Sequence, residues 1–388
     1  MQMQRNIFLL MAMFVIVSCK KNNDSGNNGD DEDCVMRSST GSGEIRASQY
    51  IIAFKPSISE RTASRINLDQ LSKNILQRNT IDVSALKTSF AGEPGGFIAM
   101  MTAAQAESLR HDESVMAIEP DRVISLGSCF TVVEPRLVTW NIDRVGYENG
   151  IGKTAWIIDS GIDFDHPDLT VDQTRSRSFI QGQTSAKDSN GHGTHVAGII
   201  GAKNNTFGVL GVASGASLVA LKVLGKDGEG NLSYIIQALA YVNTNAAAGD
   251  VVNMSVGGES GSEILDQQVR NTAAKGIYFA IAAGNENKLA NLYSPARVNT
   301  SNVYTVSAVD SLDNFASFSN YGNDVVDFAA PGVQILSTWT ENRYAYASGT
   351  SMAAPHVAGL LLLRGKNITS SGVAKNDPDG TPDPIAHY

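Results

Sequence analysis

The chain is poor in cysteine, proline and basic charge. It has three cysteines and 11 prolines in 388 residues, and 39 Asp and Glu outnumber 30 Lys and Arg for a net charge of −9. Three cysteines exclude a cysteine-rich metal site. An acidic chain without a Lys/Arg-rich stretch lacks the basic face of a nucleic-acid binder, so nucleic acid is excluded as a partner and the charge is read as solubility. Long apolar runs are scarce too. The one at the start, Ile7 to Val17, follows Arg5 and is eleven residues long, too short to span about 30 Å of hydrocarbon. It reads as a secretory signal. What is abundant suits a globular protein: 42% hydrophobic and 18% charged residues, with 36 glycines for tight turns. The length allows one large domain and a small one.

The apolar run ends Ile16-Val17-Ser18-Cys19, which resembles the lipobox of bacterial lipoproteins. The resemblance implies a signal peptide over 1–18, a lipid on Cys19 as the only membrane attachment, and an exported product held at the cell envelope or surface, or alternatively secreted. Residues 19–43 are then a polar tether, because the Asn/Asp/Gly-rich stretch Lys20 to Asp33 cannot bury a core. Two cysteines remain, Cys34 and Cys129. An exported chain invites a disulfide between them, and two separate thiols are the other reading.

Residues 44–126 read as a small α+β unit. Tyr50 to Phe54 is strand-like, Ser59 to Arg78 has helical periodicity, and further strands are expected near Ile81 to Phe90, Phe97 to Met101, Val115 to Ile118 and Arg122 to Leu126, with a short helix opened by Thr102. This is the order of a ferredoxin-like split βαβ unit. From Thr131 onward, apolar runs at 155–158, 218–224, 251–254, 277–282 and 303–309 alternate with helical segments at 192–202, 232–248, 262–275 and 352–363. Uninterrupted apolar strands are those of a parallel sheet covered on both faces, so 131–388 is expected to be an α/β three-layer sandwich. Functional groups in such sheets gather beyond the carboxyl ends of the strands.

Three segments fall there. Asp159-Ser160-Gly161 follows a strand, Gly191-His192-Gly193-Thr194-His195-Val196-Ala197-Gly198 opens a helix, and Gly349-Thr350-Ser351-Met352-Ala353-Ala354-Pro355-His356-Val357-Ala358-Gly359 opens another. Each has a bland explanation: a turn aspartate, a structural histidine, an N-cap serine. Together, in the order Asp, His, Ser, they resemble the subtilisin-like serine proteases, or subtilases, over residues 131–365. Thr139 to Arg144 and Phe318 to Gly322 look like the proteinase K-like branch.

The resemblance implies a serine endopeptidase acting on polypeptides through an acyl-enzyme. Ser351 would be the nucleophile, His192 the general base and then acid, and Asp159 the group that orients the imidazole. Asn285, ending the strand at 277–282, would be an oxyanion donor beside the Ser351 N–H. It further implies a substrate strand held by Gly228 and Gly230 on one side and by Ser255, Val256 and Gly257 on the other, with Ala283 and Gly284 lining the primary pocket. No acidic residue is evident there, so apolar or aromatic side chains are expected before the scissile bond. Residues 44–126 would be an inhibitory prosegment, cut from the peptidase domain within a few residues after Leu126.

No cofactor is expected for catalysis. The metal ligands are unknown from sequence, with structural calcium at Asp327 the one candidate by resemblance. His195 stands three residues after His192, without the spacing of a zincin helix, and reads as a packing or hydrogen-bonding residue. His356 reads as packing. An esterase would carry G-x-S-x-G where this chain has Gly349-Thr350-Ser351-Met352-Ala353. A non-catalytic surface lipoprotein would lack a triad member. Only 37 residues follow Ser351, so a closing helix is expected to be shortened or absent.

Overall fold

Strand β1 (Ile45–Phe54) reads apolar at every position of its second half because both faces are covered. Ile52 and Phe54 pack on the unit's own helices, α1 (Arg65–Arg78) and α2 (Ala103–Leu109), in a core with Leu76, Phe97 and Leu109. Ile51 and Ala53 point the other way, into the large domain. Around β1, strands β2 (Leu86–Phe90), β3 (Gly96–Met100) and β4 (Val115–Ser125) form an antiparallel sheet in the order β2-β3-β1-β4. The expected element order is therefore present, with two adjustments. Residues Val83–Ala85 form a 3-10 turn capped by Asp82, which shortens the second strand. The two closing segments are one eleven-residue strand, β4.

The structure is a computed structural model that describes residues 43–56, 65–125, 130–133, 137–258 and 260–388. The signal peptide, Cys19, the tether up to residue 42, both Cys34 and Cys129, the first part of the helix expected from Ser59, and the segment just after Leu126 lie outside the described residues.

After the N-terminal unit come β5 (Phe130–Val133), α3 (Trp140–Val145), β6 (Glu148–Asn149), β7 (Thr154–Asp159), β8 (Arg177–Ser178), α4 (His192–Gly201), β9 (Ala213–Ser214), β10 (Ser217–Lys222), β11 (Glu229–Asn231) and α5 (Leu232–Asn245). They are followed by β12 (Val251–Met254), α6 (Glu263–Ala273), β13 (Tyr278–Ala282), β14 (Val303–Val309), β15 (Val326–Pro331), β16 (Ile335–Trp339), β17 (Arg343–Ala347), α7 (Thr350–Arg364), β18 (Thr369–Val373) and β19 (Pro384–His387).

The main sheet runs β8-β10-β7-β12-β13-β14-β15-β19-β18, parallel except for the last pair. Alternate residues of each strand enter different cores, as the two-residue period requires. Ala155 and Ile157 of β7 face α4 and α7, and Trp156 and Ile158 face α5 and α6. That is the three-layer arrangement. The chain's end differs from a closing helix: β18 and β19 extend the sheet next to β15. A three-stranded antiparallel sheet, β16-β17-β5, packs behind α4.

The N-terminal unit is joined to the sandwich by main-chain pairing. The end of β4 lies antiparallel to β11, with Val123, Ile124 and Ser125 opposite Asn231, Gly230 and Glu229. Two acids of β4, the buried Asp121 and the half-buried Glu119, then meet helix starts, where unsatisfied N–H groups and the positive dipole end favour an anion. Asp121 accepts from the Ser233 N–H at 2.9 Å and from its hydroxyl, at the first turn of α5. Glu119 accepts from the Ile264 N–H at 2.9 Å, at the first turn of α6.

Candidate active site

Strand β7 ends at Asp159 and helix α4 begins at His192, so the parallel-sheet topology brings the two to one edge. Gly191 takes φ of +122° there, and a Cβ on it would lie 2.1 Å from the Trp339 ring, so the helix entry accepts only glycine. Asp159 and His192 are fully buried. His192 Nδ1 is 2.8 and 2.9 Å from the two oxygens of Asp159. The carboxylate is an acceptor only, so Nδ1 carries the hydrogen and Nε2 of the neutral ring is the basic nitrogen. Asp159 Oδ1 also accepts from the Ser160 N–H at 2.7 Å.

Ser351 is the second residue of α7, and its hydroxyl donates to Ser255 O at 3.2 Å. In this state the Ser351 hydroxyl proton is directed at the Ser255 carbonyl. Pro355 explains another contact. It has no N–H for the carbonyl four residues back, and that carbonyl, Ser351 O, accepts instead from the Ser255 hydroxyl at 2.8 Å. Ser255 Oγ accepts in turn from Asn253 Nδ2 at 2.9 Å.

Asn285 is oriented by the same helix. Its Oδ1 accepts from the Thr350 N–H at 2.8 Å and the Thr350 hydroxyl at 3.0 Å. With the carbonyl so engaged, Nδ2 is the end of the amide available to donate to an oxyanion. The loop bearing Asn285 is clamped by Asn320, which accepts from the N–H groups of Glu286 and Lys288 and donates to Ala283 O. Gly284 has φ of +109°, and a Cβ on it would meet Asn320 Nδ2 at 2.2 Å. This accounts for the Phe318 to Gly322 string as a support of the site.

Of the substrate residues expected from the sequence, Gly228 lies just before β11 and Gly230 within it, and Ser255, Val256 and Gly257 follow the end of β12. Gly230 of β11 is occupied by Ile124 of the N-terminal unit, and Gly228 precedes it in the turn. Val256 is buried in the same apolar cluster as Ile124, Leu232 and Ile235, while Ser255 and Gly257 flank it along the chain. Glu286, which follows Asn285, is tied into this loop: it accepts from the Asn285 N–H and from Asn320 Nδ2, both at 2.9 Å.

His195 and His356 are buried and hydrogen-bonded within the fold. His195 Nε2 bonds the carbonyls of Ile335 and Ala345, both at 3.0 Å, and burial pushes it down to about 3. His356 is set between Asn141 Nδ2 and Met352 O, at 2.8 Å each, and is pushed down to about 4 by burial. Asn141 belongs to the Thr139 to Arg144 string. Asp327 accepts from the Thr305 N–H at 2.9 Å, and burial pushes it up to about 6. Among the described residues no group of three or more His, Cys, Asp or Glu has metal-holding geometry. At Asp327 burial is opposed only by the Thr305 N–H, so a cation beside it would favour its charged form. Among the described residues no helix is long and apolar enough to cross a membrane.

Fold and site together define a serine hydrolase of the α/β sandwich type. A model of the subtilase family matches residues 152–370, and a model of the peptidase inhibitor I9 family matches residues 49–127. The chain is 36% identical over 332 residues to alkaline serine exoprotease A of Vibrio alginolyticus, covering 82% of this chain and 60% of that protein. It is 43% identical over 244 residues to Subtilisin BL of Lederbergia lenta, covering 61% of this chain and 87% of that protein. The solved structure of a cold-adapted subtilisin-like serine proteinase matches with a TM-score of 0.57 and 35% identity, covering 65% of this chain and 98% of that one. The chain belongs to the subtilase family and is a subtilisin-like serine protease with an N-terminal inhibitor-type unit.

Proposed function

We propose that this chain is an exported endopeptidase of the proteinase K-like branch, made as a self-processing zymogen. Residues 44–126 are its prosegment and 131–388 its peptidase domain. Ser351 attacks the scissile carbonyl while His192 Nε2 takes its proton, and His192 then returns the proton to the leaving amine. Asp159 holds the tautomer and stabilises the imidazolium. The Ser351 N–H, at the positive end of α7, and Asn285 Nδ2 receive the oxyanion. The substrate adds as a strand to β11, with Gly228 and Gly230 on one side and Ser255, Val256 and Gly257 on the other, and Ala283 and Gly284 at the primary pocket. The observation that carries this reading is the buried 2.8 Å His192–Asp159 bond at the strand-end edge where Ser351 opens α7.

The lipobox-like string supports lipidation at Cys19 and residence at the cell envelope. The partly buried carboxylate of Asp327, which has the Thr305 N–H to oppose its burial, supports structural calcium. The decisive comparison is wild type against Ser351→Ala. Self-processing and labelling by a serine-reactive phosphonate are both expected to vanish in the variant. Maturation or labelling that persists would overturn the assignment. Growth with radiolabelled palmitate tests Cys19 in the same strains, where an unlabelled protein would remove the lipid anchor from the reading.

A further inference from the structure

Strand β10 carries a lysine in the middle of an otherwise apolar run, Leu218 to Leu224. Lys222 is only 2% exposed, and an ammonium in such a place must be hydrogen-bonded and matched by opposite charge. It pairs in the sheet with Asp159. Its Nζ donates to Ser160 O, to Leu224 O at 2.8 Å, and lies 3.5 Å from the Ser189 hydroxyl.

Ser160 thereby becomes a junction. Its N–H donates to Asp159, its carbonyl accepts from Lys222, and its hydroxyl donates to Asp188 Oδ1 at 2.9 Å. The same hydroxyl accepts from the Gly193 N–H at 2.9 Å, one residue after His192. Asp188 is buried and takes four more donors: the N–H groups of Asn190 and Gly191 on Oδ1, and the N–H and hydroxyl of Thr194 on Oδ2. The backbone ladder between β7 and β10 is complete without any of these side chains.

We propose that Lys222 is a positioning residue for the Asp159–His192 pair, acting through Ser160 and as the buried counter-charge to Asp159 and Asp188. The inference rests on His192 being the general base. With His192 neutral, two buried carboxylates and one ammonium leave a net charge of −1, and the imidazolium formed during attack brings the group to zero. Without Lys222 the group starts at −2, which over-stabilises the imidazolium and makes His192 a base that is protonated at higher pH. Burial lowers the Lys222 pKa and raises that of Asp188, and the charge of Asp188 opposes the shift at Lys222. The other charged group felt by Lys222 is Asp227. His195, three residues further along the same helix, is held neutral by its burial.

The test is the pH profile of kcat/KM for purified, self-processed Lys222→Met, Asp188→Asn and the double variant, each with its circular dichroism spectrum and active-site titration. Lys222→Met is expected to move the acid limb up by about one pH unit, Asp188→Asn to move it down, and the double variant to return it toward wild type. An acid limb that stays in place in all three overturns the proposal, because a merely structural lysine would lower the active fraction without moving it. Failure of all three to fold also overturns it, making the group a folding element. Activity that survives His192→Ala would instead sink the underlying reading of the base.

Discussion

Asn285 shows how one side chain can be aimed by the helix it serves. Its carbonyl caps Thr350 at the start of α7, and the geometry of an amide then fixes where the nitrogen lies. Removing one oxyanion donor costs about 10²–10³ in kcat in subtilisin, a member of the same family. Asn285→Ala is expected to fall in that range with KM little changed, as steady-state kinetics on a peptide substrate would report. An effect confined to KM would move Asn285 from the oxyanion to substrate binding. His192 and Ser351 stand out in the sequence because each lies in a long string rich in small residues and glycine, required geometrically at Gly191, and Asp159 stands out by its place at the end of an apolar strand. Ser160 and Asp188 do not. Their importance comes from burial and from mutual contacts across 28 residues, and the one signal in the sequence was a lysine set in an apolar strand. Glu286 was overlooked although it directly follows Asn285, because its role depends on a side chain folding back onto Asn320.

At the scale of elements, β4 is anchored by acids on two helix starts. Asp121→Asn removes the ionic part of one such contact, and capping interactions of this kind contribute about 1 kcal/mol. The isolated 44–126 segment carrying this change is expected to inhibit the mature enzyme about fivefold more weakly. An unchanged inhibition constant would show that Asp121 contributes nothing to docking. The edge of the sheet at β15 has a pH signature. Asp327 is raised to about 6 in the folded state, against about 3.9 unfolded. Folding therefore takes up a proton in that interval, and the stability this brings is present below about pH 4 and lost as pH rises through about 6. In chelator, Asp327→Asn is expected to melt a few degrees higher than wild type at pH 8, with the difference fading by pH 4. With calcium the ranking should reverse, as thermal melts would show. Asp383, buried near the same edge beside Asp377 and Asp379, is pushed up to about 7 and titrates in the same direction.

Elements were legible where period and length agreed: 251–254 and 303–309 match β12 and β14 residue for residue. The two C-terminal strands were not, since β18 is wholly exposed and β19 begins with a proline. The β16–β17 hairpin was also missed. Its turn relies on positive φ at Glu341 and Asn342, a conformation that asparagine favours but glutamate does not announce.

For the whole molecule, the relevant quantity is the area shared by two occupants of one cleft. The N-terminal unit supplies Ile51, Ala53 and Ile98 to the core around α5 and α6, so its sheet is a layer of the folded zymogen. That relation was visible in the sequence only as continuous apolarity in the YIIAF strand, and the partner covering its second face could not be named from it. The pairing of β4 with β11 has a kinetic consequence. If substrate uses β11 as well, breaking the chain after β4 creates no working enzyme until the old strand leaves. Each molecule that does become free can then destroy the strands released by its neighbours, which removes their route back. A population built this way stays silent through a lag and then turns on together, with a threshold set by how slowly the first copy opens.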